Sequence, residues 1–250
     1  MSIRFTLLGT GSSMGVPRVD GFFGNCDPKN KKNYRTRCSA LISSEYSNTL
    51  IDTSPDLRSQ LLAQKVTSID RVLYSHMHAD QTHGINDLRI FSLKNKKKIP
   101  VYADKLTQLY LKKNFSYCFK KKYDYPATLK LNFLKKNLIF YEKKSKITIR
   151  SIPVEHGLIN CIAFIINNKL AYASDINGIQ NKYHKYFKNL DFLVIDCLRI
   201  KKHPSHYNLF EVLELIKFFK PKKAILTNMH SDLDYKYLLK ILPKNILPGY

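Results

Sequence analysis

The stretch Val72-Leu-Tyr-Ser-His76-Met-His78-Ala-Asp80-Gln81-Thr-His83-Gly84 is the most informative part of this chain. An apolar run leads directly into two histidines spaced i, i+2, and a carboxylate follows two residues later. Residues i and i+2 of a strand point to the same side, and in a tight turn after a strand two imidazoles at this spacing can converge on one ion. Imidazole and carboxylate together suit zinc, manganese or iron better than calcium. The stretch therefore predicts a metal site.

The same arrangement recurs along the chain, because several other strand-like runs end at a histidine or an aspartate. Ile152-Pro-Val-Glu ends at His156, Leu170-Ala-Tyr-Ala-Ser at Asp175, Phe192-Leu-Val-Ile at Asp196, and Ala224-Ile-Leu-Thr at Asn228-Met-His230. Buried strands place functional residues just beyond their ends, where loops gather into a crevice. The recurrence predicts a metal centre that is assembled from distant parts of the sequence.

Length and composition favour a folded protein of the cytoplasm. The chain has 250 residues, of which 44% are hydrophobic, enough for a substantial core. No run of about 18 apolar residues exists, so no membrane span is expected, and the first residues lack the apolar region of a signal peptide. The five cysteines are scattered and include no Cys-x-x-Cys pair, which argues against a disulfide framework.

The net charge of +23 has two interpretations that the sequence leaves open. One is a field that attracts an anionic partner, either a phosphate-containing small molecule or RNA. The other is a coding bias toward Lys, Asn, Ile and Tyr that leaves solvated lysines on the surface. An anionic substrate would be attracted in either case.

The pattern of elements predicts one domain with two sheets. A hairpin is expected from Ser39–Ile42 and Thr49–Ile51, and short strands over residues 128–170. Helices are expected at Gly84–Leu93, at 105–122 with Leu106, Leu109, Tyr110 and Phe115 as the apolar face, and after the capping-box sequence Asn208-Leu-Phe-Glu211. Strands in two groups, each followed by helices, predict two sheets packed face to face with helices outside.

With these residues in view, the chain resembles the metallo-β-lactamase-fold hydrolases over essentially its whole length. Four segments are most similar to the phosphodiesterase branch, which holds phosphoribosyl cyclic phosphate phosphodiesterases and ribonuclease Z: Gly9-Thr-Gly-Ser-Ser-Met-Gly-Val-Pro17, Asp52-Thr-Ser-Pro-Asp56, Thr82-His-Gly-Ile-Asn-Asp-Leu-Arg89 and Asp232-Leu-Asp-Tyr235. The resemblance implies an α+β, αββα four-layer sandwich of two mixed sheets with helices outside. It also implies a site for one or two Zn²⁺ or Mn²⁺ ions per chain.

The resemblance implies a role for each matching residue. His76, His78 and His156 would hold the first metal, Asp175 would bridge, and Asp80 would hold the second metal and act with His206 in catalysis. His206 falls where the phosphodiesterases carry a histidine that can protonate the leaving oxygen. A metal-activated water would be the nucleophile, and a histidine that titrates near neutrality is a suitable acid.

Three departures from the family pattern bear on the second metal and on the chain end. Gln81 stands where the family has a histidine, and an amide oxygen is a weaker ligand. A gapless alignment puts Asn228 in the slot of the last ligand, and we expect His230, two residues on, to serve because imidazole binds metal better. Relatives continue beyond the position of Tyr250 into a last strand, so the expected domain over residues 1–250 lacks that strand.

Three functions therefore remain open at this stage. The first is a metal-dependent phosphodiesterase on small or cyclic phosphodiesters. The second is a tRNA 3′-processing endonuclease, which the positive charge favours. The third is a degenerate, non-catalytic domain that binds a metal or a partner, which Gln81 and Asn228 favour. A homodimer is compatible with each, and the same fold also supports thioester and lactone hydrolysis.

Overall fold

The computed structural model describes residues 3–121, 123–143 and 145–250. Contacts within the chain divide it into two compact units. The first unit comprises the described residues of 1–8, 39–135 and 142–145, and the second those of 9–38, 136–141 and 146–250. The prediction of a single domain stays a prediction. Among the described residues, no helix combines the length and the apolar character that crossing a membrane requires.

The first unit contains a mixed six-stranded sheet. Its strands, in spatial as in sequence order, are β1 Arg4–Gly9, β2 Ser39–Ser43, β3 Asn48–Ile51, β4 Arg71–Leu73, β5 Ile99–Ala103 and β6 Leu129–Phe133. The pair β2–β3 is the predicted antiparallel hairpin, whereas β3 to β6 run parallel. The central parallel strands are apolar, and Leu50, Val72 and Val101 are fully buried, as expected for strands covered on both faces.

Five helices belong to the first unit: α1 Leu57–Ala63, α2 Ala79–Thr82, α3 Arg89–Asn95, α4 Lys105–Asn114 and α5 Ser116–Phe119. A 3₁₀ turn at Ile85–Leu88 precedes α3, so the helix expected at Gly84–Leu93 forms in two pieces. Gly84 packs so closely that an added Cβ would lie 2.0 Å from the Ser54 carbonyl oxygen. Only glycine fits there, just after the histidine motif.

The prediction of one helix over 105–122, with an apolar face of Leu106, Leu109, Tyr110 and Phe115, is wrong in part. The helix breaks at Phe115, whose φ of −127° is not helical, and a new short helix starts at Ser116. Leu106 and Leu109 are more than half exposed, while Leu111 is fully buried. Tyr110 and Phe115 do pack against the core of the unit, as expected.

The second unit contains a mixed seven-stranded sheet of spatial order β13-β12-β11-β10-β9-β8-β7. Its strands are β7 Asn137–Glu142, β8 Ser145–His156, β9 Ile159–Ile166, β10 Leu170–Ala173, β11 Phe192–Asp196, β12 Lys223–Thr227 and β13 Ile246–Pro248. Strands β8 to β10 pair antiparallel, and β10 to β13 pair parallel. Because β8 and β10 to β12 all end toward the loops that carry histidines and aspartates, the sheet gathers these side chains at one edge.

Two helices pack in the second unit, α6 Leu209–Phe219 and α7 Tyr235–Ile241. The predicted capping box of α6 is present: the Asn208 side chain accepts from the Glu211 amide, and the Glu211 carboxylate accepts from the Asn208 amide. The buried face of α6 is Leu209, Val212, Ile216 and Phe219. Burying each such side chain contributes about 1.5–3 kcal/mol, so the helix is held mainly by this face.

The glycine-rich turn after β1, at residues 9–15, packs tightly against neighbouring backbone. The Gly11 amide donates to the Thr36 carbonyl oxygen at 2.8 Å, and the Ser12 amide donates to the Met229 carbonyl oxygen at 3.1 Å. An added Cβ at Gly11 would lie 2.5 Å from the Arg35 carbonyl oxygen. The turn therefore tethers the loop of residues 10–38 to the segment that follows β12.

Candidate metal centre

In the first unit, hydrogen bonds fix the tautomer of His76, which follows β4 by three residues. The Ser75 hydroxyl donates to Asp52 Oδ2 at 2.7 Å, and the Ser75 amide donates to Asp52 Oδ1 at 2.7 Å. Ser75 Oγ also lies 3.0 Å from His76 Nδ1. Since the hydroxyl proton points to the carboxylate, the oxygen accepts from Nδ1–H, and Nε2 of His76 carries the lone pair that a metal needs.

The other ligand-type residues of the motif lie beside His76. The rings of His76 and His78 are 4.5 Å apart between centroids. His76 is buried and His78 exposed, an arrangement in which one imidazole is fixed and the other faces solvent. Asp80, in α2, accepts a hydrogen bond of 3.2 Å from the side-chain nitrogen Nε2 of the buried Gln81. The amide that replaces the family histidine thus contacts the carboxylate expected to hold the second metal.

In the second unit, the predicted residues His156, Asp175 and His206 come together. Each offers one ligand atom, and these atoms lie within 4.8 Å of one another. His156 ends β8 and is buried, and its Nδ1 donates to the Ser205 carbonyl oxygen at 2.7 Å. A carbonyl can only accept, so Nε2 of His156 is again the nitrogen with the lone pair. Asp175, two residues beyond β10, is also buried.

His206 is paired with the carboxylate of Asp196, one of the residues at which a strand-like run of the sequence ends. Asp196, the last residue of β11, is fully buried, and its Oδ2 lies 2.6 Å from His206 Nδ1. The Ile176 amide donates to the same oxygen at 2.9 Å. Burial raises the pKa of Asp196 to about 7, although the charge of His206 and its hydrogen bond lower it. The short hydrogen bond orients the imidazole, and in its ionised form the Asp196 carboxylate favours the imidazolium.

The structure places Asn228, rather than His230, against this cluster. Asn228 follows β12 with a left-handed φ of 59° and is buried. Its side-chain nitrogen lies 3.3 Å from Asp175 Oδ1 and 3.2 Å from His206 Nδ1. His230 Nδ1 lies 3.2 Å from Asp232 Oδ1. The role of His230 as a ligand stays a prediction, and the gapless position has the closer contacts.

The remaining histidines have other partners. His83 Nε2 lies 3.0 Å from the Tyr110 hydroxyl, and His184 Nε2 lies 2.9 Å from the Ile179 carbonyl oxygen. His203 has its ring centroid 5.1 Å from that of His206. Burial lowers the pKa of His203, and the nearby His206 lowers it further.

The donor atoms of these residues fit a divalent metal. In the second unit, His156 offers Nε2 and is held through Nδ1, as metal-binding histidines usually are, and buried Asp175 supplies a carboxylate beside the second imidazole, His206. Two imidazoles and a carboxylate form a borderline donor set that suits zinc, manganese or iron. A divalent metal therefore agrees with the chemistry of the cluster.

Residues 47–229 match the protein-family model described as "Beta-lactamase superfamily domain". The chain belongs to the β-lactamase superfamily. The match includes the histidine motif, His156, Asp175 and His206, and it makes the chain a hydrolase of the metallo-β-lactamase fold.

Two solved structures that are similar to this chain agree with its membership of the superfamily. A solved structure described as a new diphosphatase from the PhnP family is 27% identical, with a TM-score of 0.88 over 100% of this chain and 95% of that one. Human tRNase Z, short form, is 15% identical with a TM-score of 0.67, over 98% of this chain and 95% of that chain, and shows the fold alone. The expected αββα fold and the phosphodiesterase branch are thus confirmed.

A curated relative carries a different name. An octanoyltransferase of Porphyromonas gingivalis (strain ATCC BAA-308 / W83) is 31% identical over 254 residues, which cover 99% of this chain and 50% of that protein. The chain thus spans about half the length of the curated relative that it matches.

Proposed function

We propose that this chain is a divalent-metal-dependent phosphodiesterase that hydrolyses small or cyclic phosphodiesters. The observation that carries the proposal is the pair of half-buried His206 and fully buried Asp196 beside His156 and Asp175. This pair joins a proton donor to a metal-type donor set, which hydrolysis of a phosphodiester with a poor leaving group requires. The likeness to the PhnP-family diphosphatase supports a phosphate substrate.

The residues that would hold metal come from both the motif and the strand ends. His76, His78 and His156 are proposed for the first ion, Asp175 for a shared position, and Asp80 for the second. Asn228 and His230 are the two candidates for the last ligand. When bound, Zn²⁺ or Mn²⁺ supplies Lewis acidity and lowers the pKa of a water molecule.

His206 would be the general acid. Its Nδ1 is held by Asp196 at 2.6 Å, so Nε2 is the nitrogen that would deliver a proton to the departing oxygen. The carboxylate of Asp196 stabilises the protonated imidazole until the P–O bond breaks, and the leaving alkoxide then departs as an alcohol. The net charge of +23 would raise the local concentration of an anionic substrate.

The curated relative favours a second candidate, hydrolysis of an acyl substrate such as an octanoyl thioester. Its name belongs to a protein about twice as long as the matched region, so the matched half need not contain the named activity. The same metal-binding residues could serve both reactions, because the fold does not fix the substrate. A substrate panel separates the two.

The test combines metal content with a leaving-group comparison. The purified protein is analysed for metal, then assayed on aryl and alkyl phosphodiesters, a cyclic phosphate, a diphosphate and an octanoyl thioester, with and without chelator. We expect chelator-sensitive hydrolysis of the phosphodiesters. His206→Gln should lower the rate about 10²–10⁴-fold on the alkyl diester and much less on an aryl diester, whose leaving group departs without a proton. His184→Gln is the matched control.

Three results would contradict the proposal. Metal-free protein without activity would favour a non-catalytic binding domain. Preference for the thioester would favour the acyl substrate. An equal loss on aryl and alkyl diesters in His206→Gln would remove the acid role and leave His206 a structural residue.

A further inference from the structure

A segment of the first unit exposes aromatic side chains that the core does not use. Tyr117, Tyr123 and Tyr125 are 49%, 81% and 63% exposed. Aromatic side chains contribute most when they are buried, so three exposed tyrosines within nine residues need an explanation other than folding. None of the three belongs to the proposed metal or catalytic set.

The three tyrosines line one cavity of about 230 Å³ in the first unit. Its other lining residues are Asn86, Arg89, Cys118, Pro126 and Thr128. The Thr128 amide donates to the Cys118 carbonyl oxygen at 3.0 Å and closes the loop between them at its base. The Arg89 guanidinium lies 5.1 Å from the centre of the Tyr125 ring, a cation–π contact that orients this ring. The cavity is thus held by the fold at its base and on one side.

The sequence around the cavity-lining residues is strongly basic. In the sequence from 105 to 135, Asp124 is the only acidic residue among many lysines. The lysines that the structure shows to be exposed in this region are Lys105, Lys112, Lys113, Lys120, Lys121, Lys130 and Lys135. Arg89 is exposed as well. Such a surface attracts the phosphate groups of a ligand that is bound in the aromatic cavity.

An aromatic cavity edged by cations matches the chemistry of a nucleotide whose base is unstacked. Bases stack on tyrosine and arginine planes, while lysines neutralise the adjacent phosphates. A duplex keeps its bases stacked and paired, so only a single strand can place a base on these rings. We propose that this surface, formed by Tyr117, Tyr123, Tyr125 and Arg89 with the flanking lysines, binds single-stranded nucleic acid. The proposal is independent of the reaction at the metal-binding residues.

The test measures binding of a fluorescein-labelled 12-nucleotide oligouridylate by anisotropy at several salt concentrations. We expect the double variant Tyr123→Ala/Tyr125→Ala to weaken binding about 5- to 150-fold, the range for loss of a stacked base. Tyr123→Phe/Tyr125→Phe should keep the affinity, because phenylalanine retains the ring face. Tyr141→Ala is the matched control, since Tyr141 is 80% exposed but lies in β7 of the second unit.

The lysines give a second readout. Lys120→Ala/Lys121→Ala should reduce the slope of log affinity against log salt by about 0.7 for each phosphate that these lysines neutralise in the wild type. The proposal is overturned if the double tyrosine variant binds like the wild type, if Tyr141→Ala weakens binding as much, or if a duplex of the same length binds as tightly. Any of these results would mean that solvated lysines alone attract the oligonucleotide. The single variant Tyr123→Ala answers the same question if the double variant does not fold.

Discussion

His76 shows how a neighbouring side chain selects the atom that can bind a metal. The carboxylate of Asp52 takes the Ser75 proton, which leaves the Ser75 oxygen to accept from Nδ1 of His76. The imidazole is therefore held in one tautomer and one orientation before any ion arrives. Such supporting residues commonly matter about 10- to 100-fold for metal affinity.

Ser75→Ala is expected to lower the affinity for Zn²⁺ by about 10- to 100-fold, because the imidazole loses the acceptor that fixes its tautomer. Competition with a chromophoric chelator measures this affinity without reference to activity. Ser59→Ala is the control, since the Ser59 hydroxyl donates only to the Asp56 carbonyl oxygen of α1. Unchanged affinity in Ser75→Ala would show that His76 does not hold the metal through Nε2.

The positions of single site residues were predictable from the sequence where they follow the end of a strand. They were not predictable at the turn of Asn228, where the backbone leaves the extended conformation. His156 and Asp175 follow the rule that functional side chains lie at or beyond strand ends, and the structure brings them together with His206, which the family resemblance supplied. The choice between Asn228 and His230 assumed that residues i and i+2 face the same way. The left-handed φ at Asn228 breaks this alternation, and no sequence period reports such a turn.

At the scale of elements, the start of α6 depends on a local pair of side chains. Asn208 and Glu211 satisfy each other's backbone amides. Asn208→Ala should lower the free energy of unfolding by about 1 kcal/mol, within a range of about 0.5–2, as measured by urea titration. Asn208→Asp, which keeps the acceptor, should retain most of it. Equal losses in both variants would mean that packing of residue 208, not capping, is responsible.

The two helices α4 and α6 show why one apolar face was predictable and another was not. In α6 the apolar residues recur with one period, and the buried face agrees with it. In α4 apolar residues lie on two sides, and the helix ends where Phe115 leaves the helical region. Leu111 is then buried while Leu106 and Leu109 face solvent. Periodicity identifies a face only when a single stripe exists.

At the scale of the whole molecule, all five cysteines are buried and none is in a disulfide. Burial raises the pKa of the Cys118 thiol to about 11 and raises those of Cys26 and Cys197. The thiolate is the reactive form. We therefore expect almost no alkylation of the native protein by iodoacetamide at pH 8.5, and five modified thiols after unfolding, as counted by mass spectrometry.

The raised pKa values of the same thiols make the folded protein less stable at alkaline pH. A folded-state pKa above the ordinary 9.0 means that the native state keeps the proton longer than the unfolded state. The contribution of Cys118 to the free energy of unfolding is thus fully present below about pH 9. It is lost as the pH rises toward 11. Rapid alkylation of native protein at pH 8.5 would show that the thiols open to solvent on the time scale of the reaction.

The class of fold was predictable because the histidine motif and the strand ends repeat one arrangement along most of the chain. The net charge of +23, by contrast, did not predict whether the lysines bind an anionic partner. Composition cannot show which lysines lie beside aromatic rings, because that depends on how loops fold back. The cavity beside Tyr123 depends on the loop that the hydrogen bond from the Thr128 amide to the Cys118 carbonyl oxygen closes.

The strand β13 stands at the edge of the seven-stranded sheet, where exposed strands invite aggregation. Its Asn245 carbonyl and Gly249 amide bond to β12, so the alternate residues Ile246 and Pro248 point their backbone groups outward. The Ile246 amide already bonds to the Pro243 carbonyl oxygen, and Pro248 has no amide proton. Along β13 this edge therefore offers a passing strand no backbone N–H donor, which disfavours the addition of another strand there.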